Sequence, residues 1–168
     1  MANETSVVIY TDGACTGNLG PGGVGVLLVR GAHRKELSAG YRLTTNNRME
    51  LMAAIIGLRA LEKPVKVTLY TDSKYLVDAV TKGWARRWRA NGWRRNKREK
   101  AKNPDLWREL LDLCDQHDVR FRWVKGHDGN LENERCDQLA VQSIRRGELR
   151  VDAGYENDHL RRQPALFE

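Results

Sequence analysis

Long apolar runs are missing from this chain of 168 residues. No stretch reaches the ~18 apolar residues that a membrane-spanning helix needs. The N-terminus also lacks the charged and then apolar pattern of a secretory signal. We therefore expect a soluble, unexported, cytoplasmic protein without a membrane partner, and its length fits one domain.

Cysteine is scarce as well. The chain has three, Cys15, Cys114 and Cys136, which are odd in number, far apart and in no CxxC pair. A disulfide framework or a structural zinc site needs paired or closely spaced cysteines. We expect all three to be reduced thiols.

Acidic residues are nearly absent from residues 82–102, here called the basic segment. It contains ten Lys or Arg against Glu99 alone. The basic segment therefore carries +9 of a total net charge of +7, which leaves −2 for the rest of the chain. A mildly acidic body with one basic stripe indicates a polyanionic partner.

The pattern of apolar residues predicts an α/β domain. Three β-rich runs with short connections predict an antiparallel meander, and two later strands each follow a helical stretch. From residue 147 on, the apolar periodicity ends, so residues 147–168 are expected to form a loosely ordered tail. The predicted strands lie near residues 6–12, 24–29, 37–43, 67–72 and 119–123, and the predicted helices near 46–61, 73–80, 104–114 and 131–145.

Two strands end in the same way, with Tyr-Thr-Asp. Asp12 and Asp72 each follow a tyrosine by two residues, so in each strand the tyrosine and the aspartate share a face. If the two strands pair as neighbours in register, the carboxylates lie side by side. Because ionised carboxylates that close repel each other, a bound cation is the usual remedy.

Two further acids lie on helices. Glu50 is in the first turn of an otherwise apolar helix, and Asn47-x-x-Glu50 resembles a capping box, which by itself is the simpler interpretation. Asp72 or Ser73 is similarly a candidate N-cap. Asp137 borders the apolar face of the last helix, from which it can point toward the sheet.

With these four acids in this order, the sequence resembles the bacterial type 1 ribonuclease H family, which cuts the RNA strand of RNA–DNA hybrids. The resemblance covers nearly the whole chain and implies a ribonuclease H-like fold, a five-stranded mixed sheet with helices on both faces. It places the catalytic domain at residues 1–146, with the basic segment as a protrusion and the tail at 147–168. The resemblance rests on five sequence motifs, which are YTDGAC at 10–15, TNNRMEL at 45–51, YTDS at 70–73, VKGH at 124–127 and ENERCD at 132–137.

The resemblance also implies a two-metal nuclease. Its metal ligands are Asp12, Glu50, Asp72 and Asp137, and their all-oxygen chemistry suits two Mg²⁺ ions, or Mn²⁺ as a substitute. Hydrolysis in the family leaves a 5′-phosphate and a 3′-hydroxyl. His127, in a glycine-flanked loop, is the fifth catalytic candidate because an imidazole carries protons near neutral pH, although a lone loop histidine is usually only solvated.

Binding residues carried over from the family surround these acids. Cys15, Asn18, Asn46 and Asn47 match positions that contact the hybrid, Gly13 lets the backbone approach the RNA, and Thr45 matches a phosphate-binding position on the DNA strand. Lys74 stands where many relatives have glutamine. In the basic segment, Trp84, Trp88, Arg87 and Arg89 are candidates to grip the DNA, while the simpler interpretation of the tryptophans is that they anchor the protrusion.

Two rival interpretations remain open from the sequence. A non-catalytic hybrid-binding module would keep the basic segment and lose an acid, yet all four acids are present. Another metal nuclease of the same fold, such as a transposase or junction resolvase, would share the acids and lack the Asn46-Asn47 and His127 motifs. We expect a monomer that has no obligate protein partner.

Overall fold

The computed structural model describes residues 6–126 and 129–162, which form a mixed sheet with helices on both faces. The strands are β1 (Ser6–Cys15), β2 (Gly20–Arg30), β3 (His33–Thr44), β4 (Lys66–Thr71), β5 (Asp118–Trp123) and β6 (Leu149–Arg150). Their order in the sheet is β5-β4-β1-β2-β3-β6. The helices are α1 (Asn46–Arg59), α2 (Lys74–Thr81), α3 (Trp84–Ala90), α4 (Pro104–Gln116), α5 (Leu131–Arg145) and α6 (Ala153–Arg162).

The sheet combines an antiparallel half with a parallel half. Strands β1, β2 and β3 form the predicted meander, and β4 pairs parallel to β1 on the other side. Strand β5 extends the parallel half. Asp12, within β1, and Asp72, directly after β4, therefore lie near each other toward one end of the sheet.

Helices cover the sheet unequally on its two faces. Helix α1 packs on one face and buries Met49, Ile55 and Leu58 completely. Helix α5 packs so closely on the other that a Cβ at Gly25 would lie 1.9 Å from the carbonyl oxygen of Cys136. None of the helices in the described part of the chain combines the length and apolarity that crossing a bilayer requires.

The C-terminal segment differs from the sequence prediction. Instead of a loose tail after residue 146, the chain adds the two-residue strand β6 beside β3, as a sixth strand, and then helix α6. Asp152, between them, is only 3% exposed and accepts hydrogen bonds from Thr44 and Arg48. A buried ion pair therefore fixes a segment that has no apolar periodicity.

Candidate active site

Three carboxylates meet just beyond the point where the parallel pairing of β1 and β4 ends. Asp12, Glu50 and Asp72 each offer an oxygen, and these oxygens all lie within 4.8 Å of one another. Asp12 and Glu50 are only 5% and 6% exposed. We call these three residues the carboxylate cluster.

Strand pairing brings Asp12 and Asp72 together. Strands β1 and β4 pair in register from Ser6 with Lys66 to Tyr10 with Tyr70, which confirms the predicted arrangement. The rings of Tyr10 and Tyr70 stack with centroids 5.2 Å apart and an interplanar angle of 15°. The two aspartates follow two residues later and so share the face of the tyrosines.

Helix α1 brings Glu50 to the strands. The capping-box interpretation of Glu50 is wrong, because the N-cap is Thr45, whose side chain accepts a hydrogen bond from the Arg48 backbone N–H. Glu50 is therefore free to point at the aspartates. Gly13 makes the approach possible, since a Cβ there would lie 2.5 Å from the Glu50 backbone nitrogen.

Asp72 lies in a short link between β4 and α2. Ser73, not Asp72, caps α2 by accepting from the Leu76 N–H. The indole N–H of Trp123 donates to the backbone carbonyl of Asp72 at 3.1 Å. A Cβ at Gly126 would lie 2.7 Å from a carboxylate oxygen of Asp72, so the chain passes close to this acid just before residue 127.

Asp137 completes the site from α5. It lines an open cavity of about 280 Å³ together with the carboxylate cluster, Gly13, Asn46 and Ser73. Its oxygens do not belong to the group that meets within 4.8 Å, so Asp137 stands at the rim. Its charge still contributes to raising the pKa of Asp12.

The site concentrates negative charge away from water. Burial, followed by the charges of Asp72 and Asp137, raises the pKa of Asp12 from 3.8 to about 8. Burial and the two aspartates also raise the pKa of Glu50 well above its ordinary value. In addition, Oε2 of Glu50 is buried and has no hydrogen-bond partner among the described residues.

These features fit a hard divalent cation. The donors are all oxygens, as Mg²⁺ prefers, and an orphaned buried carboxylate oxygen is otherwise costly. A cation at the cluster would supply the partner that Glu50 lacks and would offset the repulsion among the acids.

Comparison with known proteins identifies the family. Residues 4–145 match the sequence model of the RNase H family. The chain belongs to this family. It is 64% identical over 153 residues to Ribonuclease H of Trichodesmium erythraeum (strain IMS101), with 91% of this chain and 98% of that protein covered. It is therefore a bacterial type 1 RNase H, an endoribonuclease.

Solved structures of RNase H proteins have the same fold. LC9-RNase H1, a type 1 RNase H with the type 2 active-site motif, is 35% identical, with a TM-score of 0.76 over 91% of this chain and 80% of that chain. LC11-RNase H1 in complex with an RNA/DNA hybrid is 22% identical, with a TM-score of 0.62 over 83% of this chain and 97% of that chain. The second likeness concerns the fold alone.

Among the candidate binding residues of this RNase H, Gly13 and Asn46 line the cavity. The exposed Asn18 accepts a hydrogen bond from the Asn46 backbone N–H at 2.8 Å, which ties the β1–β2 loop to the start of α1. Asn47 is exposed beside it, and the Cys15 thiol lies 3.5 Å from the Thr44 carbonyl. Lys74 is exposed at the start of α2. Gly13 has a packing reason for being glycine, besides any contact with RNA.

In the basic segment, Trp88 is an anchor. It is 9% exposed and packs edge-on against Trp107, with centroids 5.8 Å apart. Packing occupies most of this ring, which agrees with the anchoring interpretation, and a contact between Trp88 and DNA stays a prediction. Trp84 is half-buried beneath the Lys82 ammonium group.

The two arginine candidates of the basic segment differ from each other. Arg87 is exposed on α3. Arg89 lies 3.6 Å from Asp112 and 3.8 Å from Asp115 of α4, at distances typical of weak surface ion pairs. Arg87 is therefore the freer of the two to meet a phosphate. His127, the fifth catalytic candidate, lies outside the described residues.

Sequence reasoning missed a second charge cluster, in which Arg48 and Asp152 are buried and Asp105 is about half exposed. Arg48 donates to Asp152 through Nε and Nη2, and to Asp105 through Nη1 and Nη2, at 2.7–2.9 Å. The Arg48 guanidinium holds the pKa of Asp105 below its ordinary value against the opposing effect of burial. The only local signal was a charged residue in an apolar helix, which does not reveal distant partners.

Proposed function

We propose that this RNase H hydrolyses the RNA strand of RNA–DNA hybrids at the carboxylate cluster, with Asp137 as the fourth acid. The observation that carries the proposal is the cluster itself, in which three acids meet and one buried oxygen of Glu50 has no hydrogen-bond partner among the described residues. We further propose two Mg²⁺ ions as cofactors, with Mn²⁺ as a substitute, and products with 5′-phosphate and 3′-hydroxyl ends.

The chain's contribution to this reaction is to hold charge in place. Bound Mg²⁺ would act as a Lewis acid and lower the pKa of water. Asp12, Glu50 and Asp72 would hold it, and the low exposure of Asp12 and Glu50 limits competition from bulk water. Hydrolysis joins a water oxygen to phosphorus and breaks the bond to the 3′ oxygen, which leaves with a proton. We assign the transfer of that proton to His127, and His127→Ala should slow cleavage without abolishing it.

Recognition of the hybrid would use two surfaces. Asn18, Asn46 and Asn47, with Cys15 and the backbone at Gly13, are suited to the RNA strand because amides and backbone groups both donate to and accept from a 2′-hydroxyl. Thr45 and Lys74 are assigned to phosphates. Arg87, Arg89 and Trp84 of the basic segment are assigned to the DNA strand, where contacts to phosphates predict steep salt dependence and weak base discrimination.

The test is cleavage of an end-labelled RNA–DNA hybrid with Mg²⁺, next to matched double-stranded RNA, double-stranded DNA and a reaction with EDTA. We expect cutting of the RNA strand in the hybrid alone, only with metal, and fragments that a 5′-phosphate-dependent exonuclease degrades. Binding without cutting would instead support a non-catalytic module. We also expect a monomer by light scattering and a cytoplasmic location by cell fractionation.

A further inference from the structure

Among the residues that the structure describes, no helix covers the outward side chains on one part of the sheet face beside α5. Helix α5 packs on β1, β2 and β3, whereas the outward residues of β5 are exposed and those of β4 are exposed or half-buried. The strand registers align these residues in rows across β1, β4 and β5. The rows are Tyr10–Tyr70–Arg122, Val8–Thr68–Arg120 and Ser6–Lys66–Asp118, and we call them the open sheet face.

The open sheet face begins directly behind the carboxylate cluster. Asp12 pairs with Gly25, where α5 packs, so Asp12 and Tyr10 point to the α5 side of the sheet. Two residues of strand separate each tyrosine from its aspartate, a distance of about 7 Å. A linear polymer that extends from the carboxylate cluster along the strands therefore reaches Tyr10 and Tyr70 first.

The tyrosine pair offers aromatic surface on the ring faces that lie outside the contact between the two rings. The two rings are nearly parallel, both are half-buried, and Arg122 lies next to Tyr70 in the same row. Aromatic rings on an open sheet are a frequent platform for unpaired bases, because every base has a face that can stack.

The charge on the open sheet face fits a polyanion. Arg120 and Arg122 are exposed two residues apart on β5, and Lys66 and Arg34 add positive charge at the margins. Asp118 faces the same way in the last row. Glu132 of α5 lies near enough to Tyr10 to help raise its pKa, after burial, which is the larger cause. Basic residues therefore outnumber acidic ones, and the two arginines lie beside the rings.

We propose that the open sheet face binds single-stranded RNA that continues from the strand being cut. An unpaired base stacks on the face of Tyr70 that is turned away from Tyr10, and Arg120 and Arg122 contact the phosphates that follow. The choice of RNA rests on the proposed function, since the strand that reaches the carboxylate cluster is the RNA strand. The enzyme would thus favour hybrids that carry an RNA overhang.

Direct binding tests the surface without any cleavage. Fluorescein-labelled single-stranded RNA is titrated, in EDTA, with the wild type and with the double variant Arg120→Ala/Arg122→Ala. We expect the variant to bind at least about 5-fold more weakly and its salt slope to fall by about 1.4, because two phosphate contacts on a single strand are lost. Arg145→Ala/Arg146→Ala removes the same charge from the end of α5 and should change the affinity less than 2-fold by the same measure.

The rings are tested by a matched pair. Tyr70→Ala should weaken RNA binding about 5-fold or more, while Tyr70→Phe, which keeps the stacking face, should bind as the wild type does. Urea midpoints of both variants identify any loss caused by unfolding. Equal binding by Tyr70→Ala and wild type, in folded protein, would overturn the proposed role of the rings.

Cleavage then separates this inference from the proposed function. With wild type, a hybrid carrying an RNA overhang at one of its two ends should be cut with a higher kcat/KM than the blunt hybrid. Arg120→Ala/Arg122→Ala should lose that advantage and still cut the blunt hybrid. No cutting of the blunt hybrid by wild type contradicts the proposed function instead. No advantage from either RNA overhang, or an equal advantage from a DNA overhang, overturns the open sheet face as an RNA site.

Discussion

Helix α1 carries two buried charges in its first turns that lie in opposite surroundings. Arg48 is enclosed by the acids Asp105 and Asp152, which accept its hydrogen bonds. Glu50, two residues later and therefore on the opposite side of the helix, lies beside other acids, and one of its oxygens has no hydrogen-bond partner in the described parts of the chain. Paired buried charge supports a fold, whereas unpaired charge of one sign marks the place where a ligand must act.

The first way to test this contrast is to remove an acid from the carboxylate cluster. We expect Asp72→Asn to reduce cleavage of the hybrid by roughly 10³-fold or more, because metal-assisted charge stabilisation contributes several kcal/mol to such reactions. The measurement is the single-turnover rate with Mg²⁺, with circular dichroism to verify the fold. Retained cleavage by a folded variant would count heavily against the assignment of this acid as a metal ligand.

The second test breaks the paired cluster. Asp152→Asn should lower the free energy of unfolding by about 3 kcal/mol, since it removes one partner of a buried charge and leaves Arg48 with Asp105 alone. Cleavage by the folded fraction should change only a few-fold. Urea denaturation measures the loss.

Asp115→Asn is the matched control for that variant. Its ion pair with Arg86 is on the surface, with each side chain about half exposed, so its loss should cost less than about 1 kcal/mol. Similar losses for Asp152→Asn and Asp115→Asn would contradict the role given to the buried pair.

The third test moves Glu50 away from its neighbours. In Gly13→Ala the new Cβ would lie 2.5 Å from the backbone of α1, and the helix must shift. We expect a loss of about 2 kcal/mol in stability from overpacking, together with weaker cleavage. An unchanged stability and rate would show that the close approach of β1 and α1 is dispensable.

The fourth test uses pH, because the pKa of Asp12 in the carboxylate cluster is raised, whereas the pKa of Asp105 beside Arg48 is lowered. The folded protein holds a proton on Asp12 more tightly than the unfolded chain does, with a pKa of about 8 against 3.8. The contribution of Asp12 to the stability of the folded state is fully present below pH 3.8 and is lost as pH rises through about 8. The pKa of Asp105 is lowered instead, so its contribution is lost as pH falls.

Asp12→Asn isolates the first of these effects. In EDTA near pH 9, the variant should be roughly 1 kcal/mol more stable than the wild type, and the difference should shrink toward acidic pH. Urea midpoints across the pH range provide the measurement. A variant that is less stable than the wild type at alkaline pH would contradict the repulsion inferred for the cluster.

Local patterns were sufficient to predict most of the fold. Alternating and continuous apolar runs predicted five strands in the right order, and the repeated Tyr-Thr-Asp ending predicted the pairing of β1 with β4. The C-terminal segment escaped prediction because its main link, between Arg48 and Asp152, joins residues 104 positions apart. No local periodicity encodes such a pair.

The site was predictable as a set of acids, and its geometry only in part. A capping box explained Glu50 equally well in sequence, and only packing shows that Thr45 caps the helix. For Trp88, neighbouring positive charge suggested a DNA contact, whereas Tyr75 and Trp107 from other helical segments bury it. In both cases tertiary contacts decide what a side chain faces.

The most direct test of the carboxylate cluster as a cation site is the effect of Mg²⁺ on the stability of the protein. Urea midpoints are measured for the wild type and Glu50→Gln near pH 8, in EDTA and then in saturating Mg²⁺. We predict that Mg²⁺ stabilises the wild type, because binding to the folded state alone shifts the unfolding equilibrium. Glu50→Gln should begin at a higher midpoint and gain much less. A wild-type midpoint that Mg²⁺ does not raise would contradict the claim that the carboxylate cluster is a cation site.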